Sequence, residues 1–206
     1  MRKKVEFDVI DLTQSNDVLS FPVGTGQERI IVCIAFGMCC FSRTIEIRLE
    51  GSDAKATIIG LFKLEGESHV TLHSIQHHSA PKTVSNLLVK SVLTDQAKFY
   101  YEGDIRVERN AQRTDAYQRN ENLLLGTGSH TESKPSLEIL ANDVRCTHAA
   151  TVGSVREDEV WYLRSRGIPR EIAEGLISQG FLKSAVERLP QKYQESITSQ
   201  SGIHFI

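Results

Sequence analysis

Polar and apolar residues alternate through "TIEIRLEG" (44–51), so that Ile45, Ile47 and Leu49 share one face of an extended chain and Glu46, Arg48 and Glu50 the other. Segments 54–66, 68–76, 83–95, 97–108 and 136–146 follow as further strand-length runs, each bounded by Gly, Asp, Asn or Ser. Nothing between residue 4 and about 153 has the three-and-four spacing of a long helix. The turns "GSDAKATI", "LTDQAKFY" and "ERNAQRTDAY" each set polar residues before an Ala and a fresh strand, with Asp95 42 residues after Asp53 and Asn110 a further 15 on. Such an irregular repeat suits a β-solenoid, whose coils bury their apolar face only by stacking. A β-sandwich also yields many short strands, and the pattern alone does not choose between them.

The pattern changes at Ser154. "SVRE" has the form of a capping box, with Ser154 as N-cap and Glu157 reaching back. Acidic Glu157, Asp158 and Glu159 then open a helix that Arg164 and Arg166 close, in keeping with the helix dipole. Gly167 supplies a stop and Pro169 a second start. Ile172, Leu176, Ile177, Phe181, Leu182, Ala185 and Leu189 then recur at helical spacing until Pro190. The expected organisation is an all-β unit over 1–153 and a helical hairpin with a loosely held tail over 154–206.

Of the 206 residues, 24 are Lys or Arg and 26 Asp or Glu, a net charge of -2 with no basic stripe, which argues against nucleic acid as a partner. The start, "MRKKVEFDVIDL", lacks the apolar core of a signal peptide, and "IIVCIAFGMCCF" (30–41) is too short to span a bilayer. A cytoplasmic protein with no membrane partner is the simplest expectation. Cys33, Cys39, Cys40 and Cys146 contain no CxxC pair, so a four-thiolate zinc site is not expected, and the first three read as small buried hydrophobes in a strand.

The stretch "ANDVRCTHAATVG" (141–153) holds the most pointed chemistry. Cys146 and His148 stand two apart and project to one face of a strand, where they could share a ligand or share a core. His69, His73, His77 and His78 invite a zinc reading. On a strand, however, residues four apart lie about 13 Å from each other, and outward polar positions are the better expectation. Asp104, Glu108 and Asp115 are scattered candidates for glycan chemistry on a solenoid face. Trp161, Tyr162, Leu163 and Phe181 could form a partner surface or pack the helices on the last strands, with the core role favoured for Leu163 and Phe181. "PVGTGQER" (22–29) lacks the Lys-Ser or Lys-Thr of a P-loop, so ATP hydrolysis by this chain alone is not expected.

Two stretches, "RTDAYQRNENLLLG" (113–126) and "KPSLEILANDVRCTHAATVGSVREDEVWYLRSRGI" (134–168), resemble the core domain shared by SufB and SufD, scaffold subunits of the SUF iron-sulfur assembly machinery. Asp143, Val144, Cys146, His148, Ala150, Thr151, Val152 and Gly153 carry the likeness, "YLRSRGI" extends it, and "HVTLHSIQHHSAP" (69–81) continues it upstream, over 44–189 in all. The resemblance implies a right-handed parallel β-helix followed by a helical hairpin. It implies a non-catalytic, SufD-like component. Its partners would be a SufC-like ATPase, docked on the hairpin through Trp161, Tyr162, Arg164, Arg166 and Ile172, and a SufB-like or identical β-helical subunit. His148 and Cys146 would lie near the cluster or metal. No stably bound cofactor is implied, only a transient iron-sulfur cluster or iron at a subunit interface. Asn120 and Ala149 stand where SufB-like scaffolds place a Cys and a Glu, which points to the SufD side or to a degenerate regulatory paralogue. Set against the resemblance, the chain is expected to be a short form without the N-terminal helical region of full family members.

Overall fold

The structure, a computed structural model, describes residues 5–201 and side chains as far as Ile197. Eleven strands run in order: β1 (Val5–Asp11), β2 (Val18–Val23), β3 (Glu28–Gly37), β4 (Cys40–Leu49), β5 (Lys55–Leu64), β6 (His69–His78), β7 (Val84–Leu93), β8 (Lys98–Val107), β9 (Thr114–Leu124), β10 (His130–Ile139) and β11 (Val144–Ser154). Odd strands form one parallel sheet, β1-β3-β5-β7-β9-β11, and even strands a second, β2-β4-β6-β8-β10. Each coil contributes one strand to each sheet, so the chain is a parallel β-solenoid of about five coils, and the sandwich alternative falls away.

The coil length is set by register. Lys55 pairs with Val84 and Val84 with Asp115, steps of 29 and 31 residues. The 42-residue spacing of Asp53 and Asp95 is therefore not a repeat: the two sit at opposite corners of the coil. Asp53, Lys82 and Arg113 take φ of 59°, 57° and 60° at one corner, stacked beyond Gly26, while Gly37, Gly66 and Asp95 stack at the other. Each corner reverses the chain in a left-handed residue, a conformation open to Gly and tolerated by Asp. The expected strand 136–146 is also two strands: the turn at Ala141–Asp143 divides β10 from β11. Ala141 is buried there, and the Asp143 amide donates to Gln112 Oε1 on the coil before.

The two sheets differ in burial, and the sequence shows why. Even strands alternate, as in β6, because one face is inside and the other in solvent. Strands β3, β5 and β7 are buried on both faces and read as nearly continuous apolar runs. Their inner faces join Ile45, Ile47, Phe99 and Tyr101 in the solenoid core, where Phe62 and Phe99 pack 4.9 Å apart. Their outer faces, Ile30, Val32, Ile34, Ile59, Leu61, Leu88 and Val92, are covered by helices.

Those helices are α1 (Glu157–Arg164), α2 (Arg170–Val186) and α3 (Gln191–Ser201). The hairpin is thus a three-helix segment. Leu182, Ala185, Val186 and Leu189 seal α2 on the sheet, and Ile197 of α3 is fully buried beside Tyr193, whose ring packs 4.6 Å from Phe7. The tail expected to be loose is therefore docked through Ile197, and residues 202–206 lie outside the described residues. Ser154 is not an N-cap. It remains in β11, in register with Leu124, and α1 begins three residues later after Arg156, with no side-chain cap. Glu157 instead binds Arg170 of α2. Gly167 does end the first helical turn region, at φ 84°, and Pro169 precedes α2 directly.

Candidate functional site

The solenoid narrows its apolar core toward β11. On the inner face of β9, Gln118, Asn120 and Asn122 are all buried, and Asn120 Oδ1 accepts from both Asn122 and Ser133. Ser91 donates to Asn122 Oδ1 on the coil below at 2.6 Å, and Asn122 Nδ2 donates to the Thr151 carbonyl of β11. A polar stratum therefore underlies the final strand. Deeper in, Ser74 and Tyr101 share a 2.7 Å hydrogen bond, and burial drives the Tyr101 phenol strongly upward from its ordinary pKa.

β11 pairs only with β9, and β10 only with β8, so each leaves one edge unpaired at this end of the solenoid. Arg145 points outward, where it pairs with Asp115. By alternation Val144, Cys146, His148, Ala150 and Val152 then point inward. Cys146 and Val144 pack on Ile105, Val107 and Ala116, whereas His148 and Val152 lie beyond that cluster and are exposed. Leu137, Ile139 and Leu140 of the neighbouring strand and turn are 40, 38 and 57 % exposed. Residues that would be core in an interior coil are here uncovered, because no further coil stacks on them.

Cys146 and His148 are thus brought to the same face of one strand, as their spacing requires, but to different surroundings. Burial raises the Cys146 thiol pKa, with the Asp115 charge adding to the effect and the Ala116 backbone opposing it. A thiol held protonated is a poor metal ligand. His148 carries the more available donor atoms. Asn120 is buried and inward, while Ala149 points to the opposite face. The two positions of the expected Cys and Glu therefore do not face each other.

Other candidates separate. His69, His73 and His77 point outward from β6, and His73 and His77 pair with Asp104 and Glu108 at 3.2 and 2.9 Å. His78 is the exception: it is wholly buried between Thr83 and Ser85, and burial, with the neighbouring His77 charge, pulls its pKa down to about 3. Among the described residues no group of three or more His, Cys, Asp or Glu could hold a metal ion. Asp104 is held by His73 and Arg106, and Asp115 lies on the other sheet. Only Cys33 of the early thiols is fully buried, its pKa pushed up to about 12 by desolvation; Cys39 is half-buried and Cys40 exposed at the corner where β4 begins.

The helical dock candidates are all exposed. Trp161, Tyr162 and Ile172 are 70, 55 and 57 % exposed, and Arg164 at the end of α1 and Arg166 in the turn after it are exposed, with the Arg166 guanidinium 5.2 Å over the Tyr162 ring. Only Val160 of α1 is buried. Leu163 is half-buried, and Phe181 packs on the sheet side. Sequence reasoning missed Lys90. Buried on the outer face of β7, it pairs with Glu121 at 2.8 Å and donates to the Phe181 carbonyl and the Ser184 hydroxyl of α2. A lysine inside the apolar run "NLLVKSVL" was the available signal. No described helix is long and apolar enough to cross a membrane.

The molecule is thus a parallel β-solenoid with one uncovered end and a helical segment laid along one sheet. Residues 29–181 match the family described as SUF system FeS cluster assembly, SufBD core domain. The chain is 39 % identical over 105 residues to the iron-sulfur cluster assembly protein SufD of Escherichia coli (strain K12), covering 51 % of this chain and 25 % of that protein. It is 29 % identical over 160 residues to an iron-sulfur cluster assembly SufBD family protein of Synechocystis, covering 78 % and 35 %. Protein ABCI7, chloroplastic, of Arabidopsis thaliana is 29 % identical over 149 residues, covering 72 % and 31 %. The chain belongs to the SufB/SufD core family of the SUF iron-sulfur cluster assembly system. It spans about a quarter to a third of the length of these relatives.

Proposed function

We propose that this chain is a non-catalytic, SufD-like component of the assembly complex, joined through the open end of its solenoid to a SufB-like or identical subunit and through its helices to a SufC-type ATPase. The observation that carries the reading is the uncovered last coil. Val152, Leu137, Ile139 and Leu140 leave apolar surface exposed around His148, and contiguous apolar surface of this kind marks an interaction site. Burial of the two unpaired strand edges by a partner would also remove the hazard of open edges.

The cluster is cargo in this reading. A neutral imidazole is a good iron ligand and His148 is accessible to one. One imidazole and one protonated thiol do not complete a ligand set, so the remaining ligands belong to the partner. Trp161, Tyr162, Arg164, Arg166 and Ile172 form the ATPase dock, since exposed aromatics and arginines are favoured anchors. Nucleotide-driven movement of the ATPase would reach the solenoid through α2, which Lys90 ties to β7 and, through Glu121, to β9. The compartment proposed is the cytoplasm.

Co-purification of the full chain with a SufC-type ATPase tests the docking. Retention by the unaltered chain, lost in Trp161→Ala/Tyr162→Ala, is expected. No retention by a chain whose circular dichroism shows a folded state overturns it. Anaerobic reconstitution with iron and sulfide separates the rival, autonomous role: cluster absorbance from this chain alone, lost in His148→Ala, would make it a scaffold in its own right.

A further inference from the structure

One buried side chain beneath His148 is satisfied on one side only. Gln118 is 1 % exposed on the inner face of β9, and its Nε2 donates to the Gly103 carbonyl of β8 at 3.2 Å. A backbone carbonyl only accepts, so the amide nitrogen must face it and Oε1 must turn away. That oxygen is buried and has no hydrogen-bond partner. Gly103 makes room for this arrangement, because a Cβ there would lie 2.1 Å from Gln118 Nε2. A buried acceptor left unpaired is costly, and each such atom in a folded protein calls for an explanation.

The next coil places a donor directly in register with Gln118. His148 is in register with Gln118 on the same inner face, one strand spacing of about 4.8 Å away. On the facing sheet, the residue in register with Gly103 is Pro135, whose side chain has no polar atom. His148 makes no side-chain hydrogen bond among the described residues. Its ring is exposed above an acceptor that lacks a donor.

We propose that Gln118 is the positioning residue of His148. With a turn of the exposed ring, Oε1 accepts the N–H of one imidazole nitrogen, which fixes the tautomer and leaves the other nitrogen, with its lone pair, facing out of the open end. Metal-binding histidines are commonly held in this way, by a carbonyl on the nitrogen that does not bind. The role of the outward nitrogen rests on the reading above that His148 faces a partner; the Gln118 contact does not.

Nitrogen-15 NMR of the full chain tests it without partner or metal. At about pH 8.5, above the ordinary imidazole pKa, two-bond proton-nitrogen correlations report the His148 tautomer, assigned by its loss in His148→Ala. A single tautomer with an N–H protected from solvent exchange is expected in the unaltered chain. Gln118→Leu should lose the protection and relax to mixed tautomers. An N–H in rapid exchange in the unaltered chain overturns the proposal, and that measurement needs no variant to fold. So does an unchanged tautomer in a folded Gln118→Leu. Either failure leaves ATPase co-purification untouched, whereas failed co-purification beside an oriented His148 overturns the docking reading alone.

Discussion

Lys90 and Glu121 meet at 2.8 Å beneath α2, their side chains 7 and 11 % exposed, and the same ammonium lies 4.2 Å from the centre of the Phe181 ring. A charge so buried is tolerable because every direction around it is answered: Glu121, the Phe181 carbonyl and the Ser184 hydroxyl. The pair fixes where the helical segment crosses the odd sheet.

Replacing Lys90 with Met leaves Glu121 buried, with Arg119 as its remaining ion-pair partner. Breaking one partner of a buried pair costs about 3 kcal/mol, and Lys90→Met/Glu121→Gln should recover part of that loss. Urea unfolding monitored by circular dichroism measures both.

His78 makes stability depend on pH. Its pKa is about 3 in the folded chain against an ordinary 6.5, so the unfolded state binds more protons between those values. Stability contributed by keeping this imidazole neutral is complete above pH 6.5 and is lost as pH falls toward 3, by about 1.4 kcal/mol per pH unit at most. His78→Asn should be less stable at neutral pH, yet show a shallower acid slope in denaturant titrations between these limits.

Ile197 tests whether α3 is part of the fold. It is fully buried against the outer face of the odd sheet. Ile197→Ala should cost about 2 to 4 kcal/mol, the range for a large aliphatic side chain removed from a core. A loss below about 0.5 kcal/mol in thermal and urea unfolding would mean that the helix is not docked.

Gly103→Ala places a methyl group 2.1 Å from Gln118 Nε2 and 2.6 Å from the Tyr101 hydroxyl. Overpacking of this kind costs about 1 to 3 kcal/mol, read as a lowered unfolding midpoint. The shift should be smaller in Gly103→Ala/Gln118→Ala, where the obstructing amide is gone.

Trp161→Ala alone should change stability by no more than about 0.5 kcal/mol, because the side chain is 70 % exposed. Its effect should appear in ATPase retention. A large loss of stability would mean that the ring packs within the chain.

Much of the fold was legible along the chain. Alternation marked the even strands, polar turns marked the corners, and "RCTHAATVG" with "YLRSRGI" carried the family likeness. That Cys146 and His148 share one face followed from the two-residue period of a strand; that the face is inward did not. Local signals misled where longer-range pairing prevailed. Ser154 has a capping side chain, but the ladder to Leu124 keeps it in a strand. Asp53 and Asp95 look like one repeated turn, yet stacking assigns them to different corners.

The sequence by itself determined the strand content, the helical C-terminal segment and the chemistry available at 146 and 148. Tertiary structure alone decided which of those groups are buried, paired or exposed. His77 and His78 are neighbours in sequence, but one faces solvent beside Glu108 and the other is buried neutral beside Ser85. Gln118 meets Gly103 and His148 only because coils about thirty residues long stack in register. Burial and partnership are properties of that stacking, and no local period encodes it.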